Sequence, residues 1–312
     1  MSSPLGHGST AGIGSKVGSE APGALTSFNP EPVPGFPHTR AAIVRVSWSP
    51  IRREPAHRSE MTNQLVLGEV VELLGAPVGD WLLVRAADGY EGHVTAGALR
   101  PVTNADAAAW TAAADEFSLG TELEPVSVDQ PAAAARAPWG ARLPRAGEAE
   151  FLLPDGVRVM ARRPDRVVSG PERALTYDAR PAAAADTARQ WMGVPYHWGG
   201  RIREGTDCSG LVQAVYALHG FRLPRDSRDQ LEAGLRLSEP VDRAAGGLPG
   251  DLWFFAWDGQ PVSHVGICLG EGAMLHASET RGCVGVDRLG EGSFGKRLAA
   301  GLVGGTRPER SH

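Results

Sequence analysis

The stretch "GTDCSGLVQAVYALHGF", residues 205–221, places a cysteine between an acid and a serine where a glycine-rich loop turns into a helix. Leu211, Val212, Val215 and Leu218 recur at the spacing of one helical face, and Gly220 stands where a helix closes with a left-handed residue. Cys208 therefore falls at or just before a helix N-terminus. There it meets unpaired backbone N–H groups and the positive end of the helix dipole, both of which favour thiolate over thiol. This placement predicts a nucleophile, which needs a base within hydrogen-bond reach and a third group to orient that base.

The downstream sequence offers both. "DLWFFAW" (251–257), "HVGICLG" (264–270), "AMLHAS" (273–278) and "CVGVDRL" (283–289) read as strands joined by tight glycine turns, which predicts an antiparallel sheet. His264 opens the second strand and His276 lies near the end of the third, so a hairpin at "GEG" sets them on adjacent strands. Cys268 and Cys283 read as packing residues. His93, His197 and His219 have structural explanations beside an aromatic, a helix end or a turn. A zinc site built on Cys208 and the two histidines lacks a fourth ligand.

Upstream, 312 residues with 42% apolar content suffice for two or three domains. Residues 1–38 are rich in Gly, Ser and Pro without periodicity and read as a disordered tail. Residues 39–100 alternate over short segments, as in "GDWLLVRAADGYEGHV", and predict a small all-β barrel with Trp81, Leu83 and Val94 inside. Residues 101–137, first Ala-rich and then Pro-broken, read as a linker with one short helix. Residues 138–180, with a "PDG" turn, read as a second and more degenerate β module. Residues 181–312 form the third domain, opening with the helix "PAAAADTARQWMG".

Composition excludes several function classes. A net charge of −5 without a basic stripe speaks against a nucleic-acid partner. No run of apolar residues is long enough to span a membrane, and the N-terminus carries no apolar signal core, which predicts a cytoplasmic protein. Three cysteines, none in a CxxC pair, argue against a disulfide framework and a structural zinc.

The segments "YHWGG" (196–200), "TDCSGLVQ" (206–213), "PRDSRDQ" (224–230), "GDLWFF" (250–255), "SHVGI" (263–267) and "LHAS" (275–278) together resemble the NlpC/p60 family of papain-like cell-wall cysteine peptidases. The resemblance implies a multidomain chain: SH3-like barrels followed by an α+β papain-like domain with an antiparallel sheet. It makes Cys208 the nucleophile, His264 the base and His276 the group holding His264 in its productive tautomer. Tyr196 falls where the family has a tyrosine near the reacting carbonyl; aromatic packing under the loop is its alternative reading.

The first β module is similar to SH3-like modules of a recycling subgroup that acts as a γ-D-glutamyl diamino-acid endopeptidase. That similarity places Glu60, Tyr90 and Asp207 at the free α-amine of a stem peptide beginning with L-Ala. It places Ser209, Arg225, Asp226 and Ser227 at the D-Glu α-carboxylate, with Arg225 either binding that carboxylate or pairing with Asp226. The implied substrate is L-Ala-γ-D-Glu joined to meso-diaminopimelate or L-Lys, with no metal or organic cofactor. The rival readings are a wall-remodelling hydrolase on intact peptidoglycan, a noncatalytic wall-fragment receptor and a thiol acyltransferase.

Overall fold

The computed structural model describes residues 40–127, 129, 131–237 and 247–309, so the tail expected at 1–38 lies outside the described residues. The first module is a seven-stranded antiparallel sheet running from strand Met61–Val66 at one edge to strand Leu99–Val102 at the other. Among the described residues those two edge strands do not pair with each other, and the module is the small all-β, SH3-like unit expected at 39–100. The phase of one strand differs from the reading. In Trp81–Arg85 it is Leu82 and Val84 that are fully buried, and Leu82 lies opposite the buried Val94, while Leu83 is half-buried on the other face.

A short helix, Asn104–Ala113, follows and is capped by a reciprocal Thr103 and Asp106 pair. The second module starts earlier than 138: strand Glu116–Pro125 lies inside the stretch read as linker and pairs with Arg136–Leu143. Its inward residues Phe117, Leu119, Thr121 and Leu123 alternate, a signal overshadowed by the Ala-rich and Pro-rich flanks. The "PDG" turn joins Glu150–Leu152 to Arg158–Ala161 through a left-handed Gly156.

The third part combines helices Pro181–Ala188 and Cys208–Leu218 with a six-stranded antiparallel sheet. The four expected strands appear in chain order, from Leu252–Phe255 to Cys283–Arg288. The hairpin at "GEG" closes with Glu271 and Gly272 both at positive φ, the geometry of a two-residue type I′ turn. Strand Leu302–Arg307 adds to the other side of Leu252–Phe255. Leu211, Val212, Val215 and Leu218 are all buried, as the periodicity predicts.

The second module is packed onto the back of that helix. Phe117, Leu119, Trp139 and Val168 share one hydrophobic cluster with Ala188, Trp191, Leu211 and Val215. Trp139 sits edge-on to Trp191 at 5.3 Å, and its indole N–H donates to the carbonyl of Ala214 at 2.9 Å. Trp139→Ala should therefore lower stability by about 3–5 kcal/mol through the cavity and the lost hydrogen bond. Leu175→Ala, at a side chain 88% exposed, should change it by less than about 0.5 kcal/mol. Urea titration of the two variants checks the contrast; equal midpoints would show that the two parts do not share a core.

Candidate active site

Asp207 is the N-cap of helix Cys208–Leu218 and accepts from the Gly210 backbone N–H at 2.8 Å. Gly210 is required by space, because a Cβ there would meet the Gly200 carbonyl oxygen at 2.1 Å. Asp207 also accepts from the Gly199 N–H at 2.8 Å and from Arg225 through both terminal nitrogens, at 3.0 and 2.5 Å. Arg225 is buried, donates through Nε to Asn63 at 2.8 Å and through Nη1 to the Ser209 hydroxyl at 2.8 Å. Its ionic partner is thus Asp207 rather than the neighbouring Asp226. Four of its five N–H donors are committed, leaving one on Nη2.

Cys208 is the first residue of the helix and 7% exposed. Its sulfur meets the backbone N–H groups of Val265 and Ser209, which favour the thiolate. Burial, followed by the Asp207 carboxylate, outweighs them and pushes the thiol up to about 12. The N–H at the helix start thus favours the thiolate, as expected, against the larger opposing effect of burial. The contact with the Val265 N–H brings the sulfur beside the strand residue that follows His264.

His264, His276 and Asp287 run diagonally across three neighbouring strands. Ile267 pairs with Leu275 and His276 pairs with Gly285, so each of the three side chains sits two residues off direct opposition, on one face. His264 Nε2 lies 2.7 Å from His276 Nδ1, and His276 Nε2 lies 2.9 Å from Asp287 Oδ2. Arg281 holds the other carboxylate oxygen of Asp287 at 2.5 Å. His276 and Arg281 keep the Asp287 carboxyl below its ordinary range, against the cost of burial.

A carboxylate can only accept, so His276 Nε2 carries the proton and its Nδ1 accepts. His264 Nε2 must then donate, which leaves His264 Nδ1 bare as a proton acceptor. Burial and the adjacent His276 lower His264 to about 3, so it is neutral at physiological pH.

One cavity of about 670 Å³ gathers these groups. Cys208, His264, Tyr196, Glu60, Tyr90, Asp207, Ser209, Arg225, Asp226 and Ser227 all line it, while His276 lies buried behind His264. The first module supplies Glu60, Thr62 and Tyr90, and Glu60 accepts from the Trp198 indole at 2.9 Å. Gly199 makes this approach possible: it has φ +77° and a Cβ on it would lie 2.7 Å from the Met61 carbonyl oxygen.

Burial and the nearby Cys208 and Asp207 raise the Tyr196 phenol, which stays protonated and able to donate. Asp226 is raised by burial and by Asp229, Asp207 and Asp88, despite Arg225. Sequence reading missed Asp287 and Asn63, whose roles arise from cross-strand and inter-module contacts, and Trp257, Phe294 and Arg297, which line the cavity beyond His264.

Residues 193–303 match the NlpC/P60 family, and residues 51–99 match the bacterial dipeptidyl-peptidase Sh3 domain. A Bacillus subtilis protein named gamma-D-glutamyl-L-lysine dipeptidyl-peptidase is 36% identical over 116 residues, covering 36% of this chain and 38% of that protein. A Bacillus cereus protein of the same name is 33% identical over 132 residues, covering 40% of this chain and 37% of that protein. The match thus spans little more than a third of these relatives. A crystal structure of an NlpC/P60 family protein from Bacillus cereus shares the fold at TM-score 0.69 and 23% identity, over 86% of this chain and 99% of that one. No helix among the described residues is long and apolar enough to cross a membrane.

The site chemistry makes a pH prediction. With the thiol held near 12 and His264 near 3, alkylation of Cys208 by iodoacetamide in the ligand-free protein should be slow at neutrality. It should rise continuously between about pH 8 and 10 as the thiolate fraction grows. Peptide mapping by mass spectrometry reads the rate at Cys208 apart from Cys283; a plateau already reached below about pH 7 would mean that a thiolate–imidazolium pair is preformed.

Proposed function

We propose that this chain, an NlpC/P60 cysteine peptidase carrying a bacterial dipeptidyl-peptidase SH3 domain, hydrolyses the bond between γ-D-Glu and the diamino acid of peptidoglycan stem peptides. The observation that carries this reading is the shared cavity, in which Cys208 and His264 lie next to an acidic wall contributed partly by the first module. A buried ammonium needs carboxylates and acceptors around it. Tyr90, the exposed Asp226 and Glu60, itself paired with Arg53 at 2.8 Å, form that surface, and Asp207 adds its charge from behind with its oxygens already engaged. Such a wall selects peptides with a free N-terminal L-Ala, which arise when stem peptides have been released from the polymer. Recycling of such fragments in the cytoplasm is part of the same reading, as is the activity for which the Bacillus relatives are named.

The D-Glu α-carboxylate fits against Ser209, Ser227 and the remaining Arg225 N–H. The Cys208 thiol gives its proton to His264 Nδ1 as sulfur attacks the γ-carbonyl. The oxyanion receives hydrogen bonds from the Cys208 backbone N–H and the Tyr196 hydroxyl. Collapse of the tetrahedral intermediate breaks the C–N bond, and the imidazolium of His264 returns the proton to the leaving amine. Water then attacks the thioester, its proton passes to His264, and the dipeptide acid leaves as the proton returns to sulfur. Substrate binding places an ammonium near Asp207, which weakens that carboxylate's opposition to the thiolate.

Two measurements test this. Purified protein should release the diamino acid from L-Ala-γ-D-Glu-diaminopimelate or the lysine analogue. Cys208→Ala should abolish release while Cys268→Ala keeps it, and N-acetylation of the alanine should suppress it strongly. Equal turnover of the acetylated peptide would instead favour a wall-remodelling hydrolase. Asp287→Ala, outside the cavity lining, should lower kcat by about 100-fold with KM nearly unchanged, since it frees His276 and His264 to adopt the unproductive tautomers. Asp287→Glu should recover part of the loss; a kcat within a factor of about three of the parent would remove Asp287 from the relay.

A further inference from the structure

The cavity wall beyond His264 is made by Trp257 and by Phe294, Arg297 and Leu298 of helix Gly292–Gly301. Phe294 stacks on His276 at 6.0 Å, and the Trp257 ring lies 6.3 Å from that of His264. This helix therefore covers the face of the sheet that bears the two histidines. The Trp257 indole N–H donates to the Arg297 carbonyl at 3.2 Å, and the Arg297 guanidinium lies over the Trp257 ring at 5.4 Å.

The ring contact fixes the fork without using its N–H donors. Among the described residues Arg297 makes no ion pair, unlike Arg53 and Arg225 on the same cavity, which are bound to Glu60 and Asp207. A planar, partly exposed guanidinium with free donors is built to receive a carboxylate through two parallel hydrogen bonds.

The position says which carboxylate. The group that protonates the leaving nitrogen stands on the leaving side, so what lies beyond His264 faces the released fragment, and what lies toward Glu60 and Asp226 faces the dipeptide. We propose that Arg297 is a specificity residue that binds a carboxylate of the leaving diamino acid, favouring an acidic leaving fragment over one bearing only an ammonium. This rests on the endopeptidase reading above. Two carboxylates share the required chemistry: the one at the end of a diaminopimelate side chain and the main-chain carboxylate of a C-terminal diamino acid.

Three peptides separate them, each beginning with free L-Ala-γ-D-Glu. One ends in L-Lys amide, one in L-Lys free acid and one in meso-diaminopimelate amidated on its main-chain carboxyl. The full chain and its Arg297→Gln variant are compared by kcat/KM on all three. The variant should lose about tenfold or more on a carboxylate-bearing peptide relative to the L-Lys amide, the worth of a charge-assisted pair. Loss confined to the diaminopimelate peptide identifies the side-chain carboxylate; loss confined to the L-Lys acid identifies the main-chain one. Arg297→Lys, which keeps the charge and removes the fork, should retain part of the preference.

An equal change on all three peptides, within about twofold, would overturn the assignment while leaving the endopeptidase reading intact. No release from any of the three by the parent chain would instead overturn that reading and the assignment with it.

Discussion

The carboxylate of Asp207 is the contact on which the site depends. It caps the helix through Gly210, holds the loop through Gly199 and closes on Arg225, which in turn reaches Asn63 of the first module. A buried ion pair is tolerable when its remaining donors and acceptors are satisfied, and here protein groups meet both carboxylate oxygens. Three chain segments distant in sequence are thereby fixed around one sulfur. The same charge opposes the chemistry, because it disfavours a thiolate on the next residue. Positioning and activation of Cys208 thus pull against each other. Arg225 and the Val265 N–H offset part of the conflict, and the remainder falls to the base.

That base is set from behind. Asp287 is held anionic by Arg281 and passes a fixed hydrogen-bond polarity through His276 to His264. The polarity puts the bare nitrogen of His264 on the cavity side without any group in the cavity selecting it. Burial and the adjacent His276 make His264 a weak base in the ligand-free protein, lowered to about 3. On the proposed mechanism, an imidazole neutral and unprotonated at Nδ1 takes the thiol proton during attack, with no standing ion pair in the ligand-free protein.

What was legible in the sequence is what depends on local period and turn chemistry. The buried face Leu211, Val212, Val215 and Leu218 and the "GEG" hairpin joining the two histidine strands both follow from residues close in the chain. Asp287 was not legible, because its relation to His276 is a diagonal across a strand register that the hairpin turn alone does not set. The partner of Arg225 was not legible either: Asp226 is adjacent in sequence, while Asp207 wins through the packing of loop against helix. The height of the Cys208 pKa was not legible for a similar reason. A helix start can be read from sequence, but the desolvation that outweighs it depends on what folds over the helix, and strand His264–Gly270 and the first module both come from elsewhere in the chain.

The first module enters the site through its strand Met61–Val66 and the turn before Glu91. Arg201 binds Glu69 and the Gln64 carbonyl, Gln213 donates to Asp88 at 2.9 Å, and Trp198 bridges to Glu60. These bonds land on the loop and helix that carry Cys208, not on a separate surface. A change in how the module sits therefore moves Asn63, then Arg225, then Asp207, and so reaches the residue that sets the position of the sulfur. On the proposed function, recognition of the peptide's free end and reactivity at its scissile bond would be joined through this one buried pair.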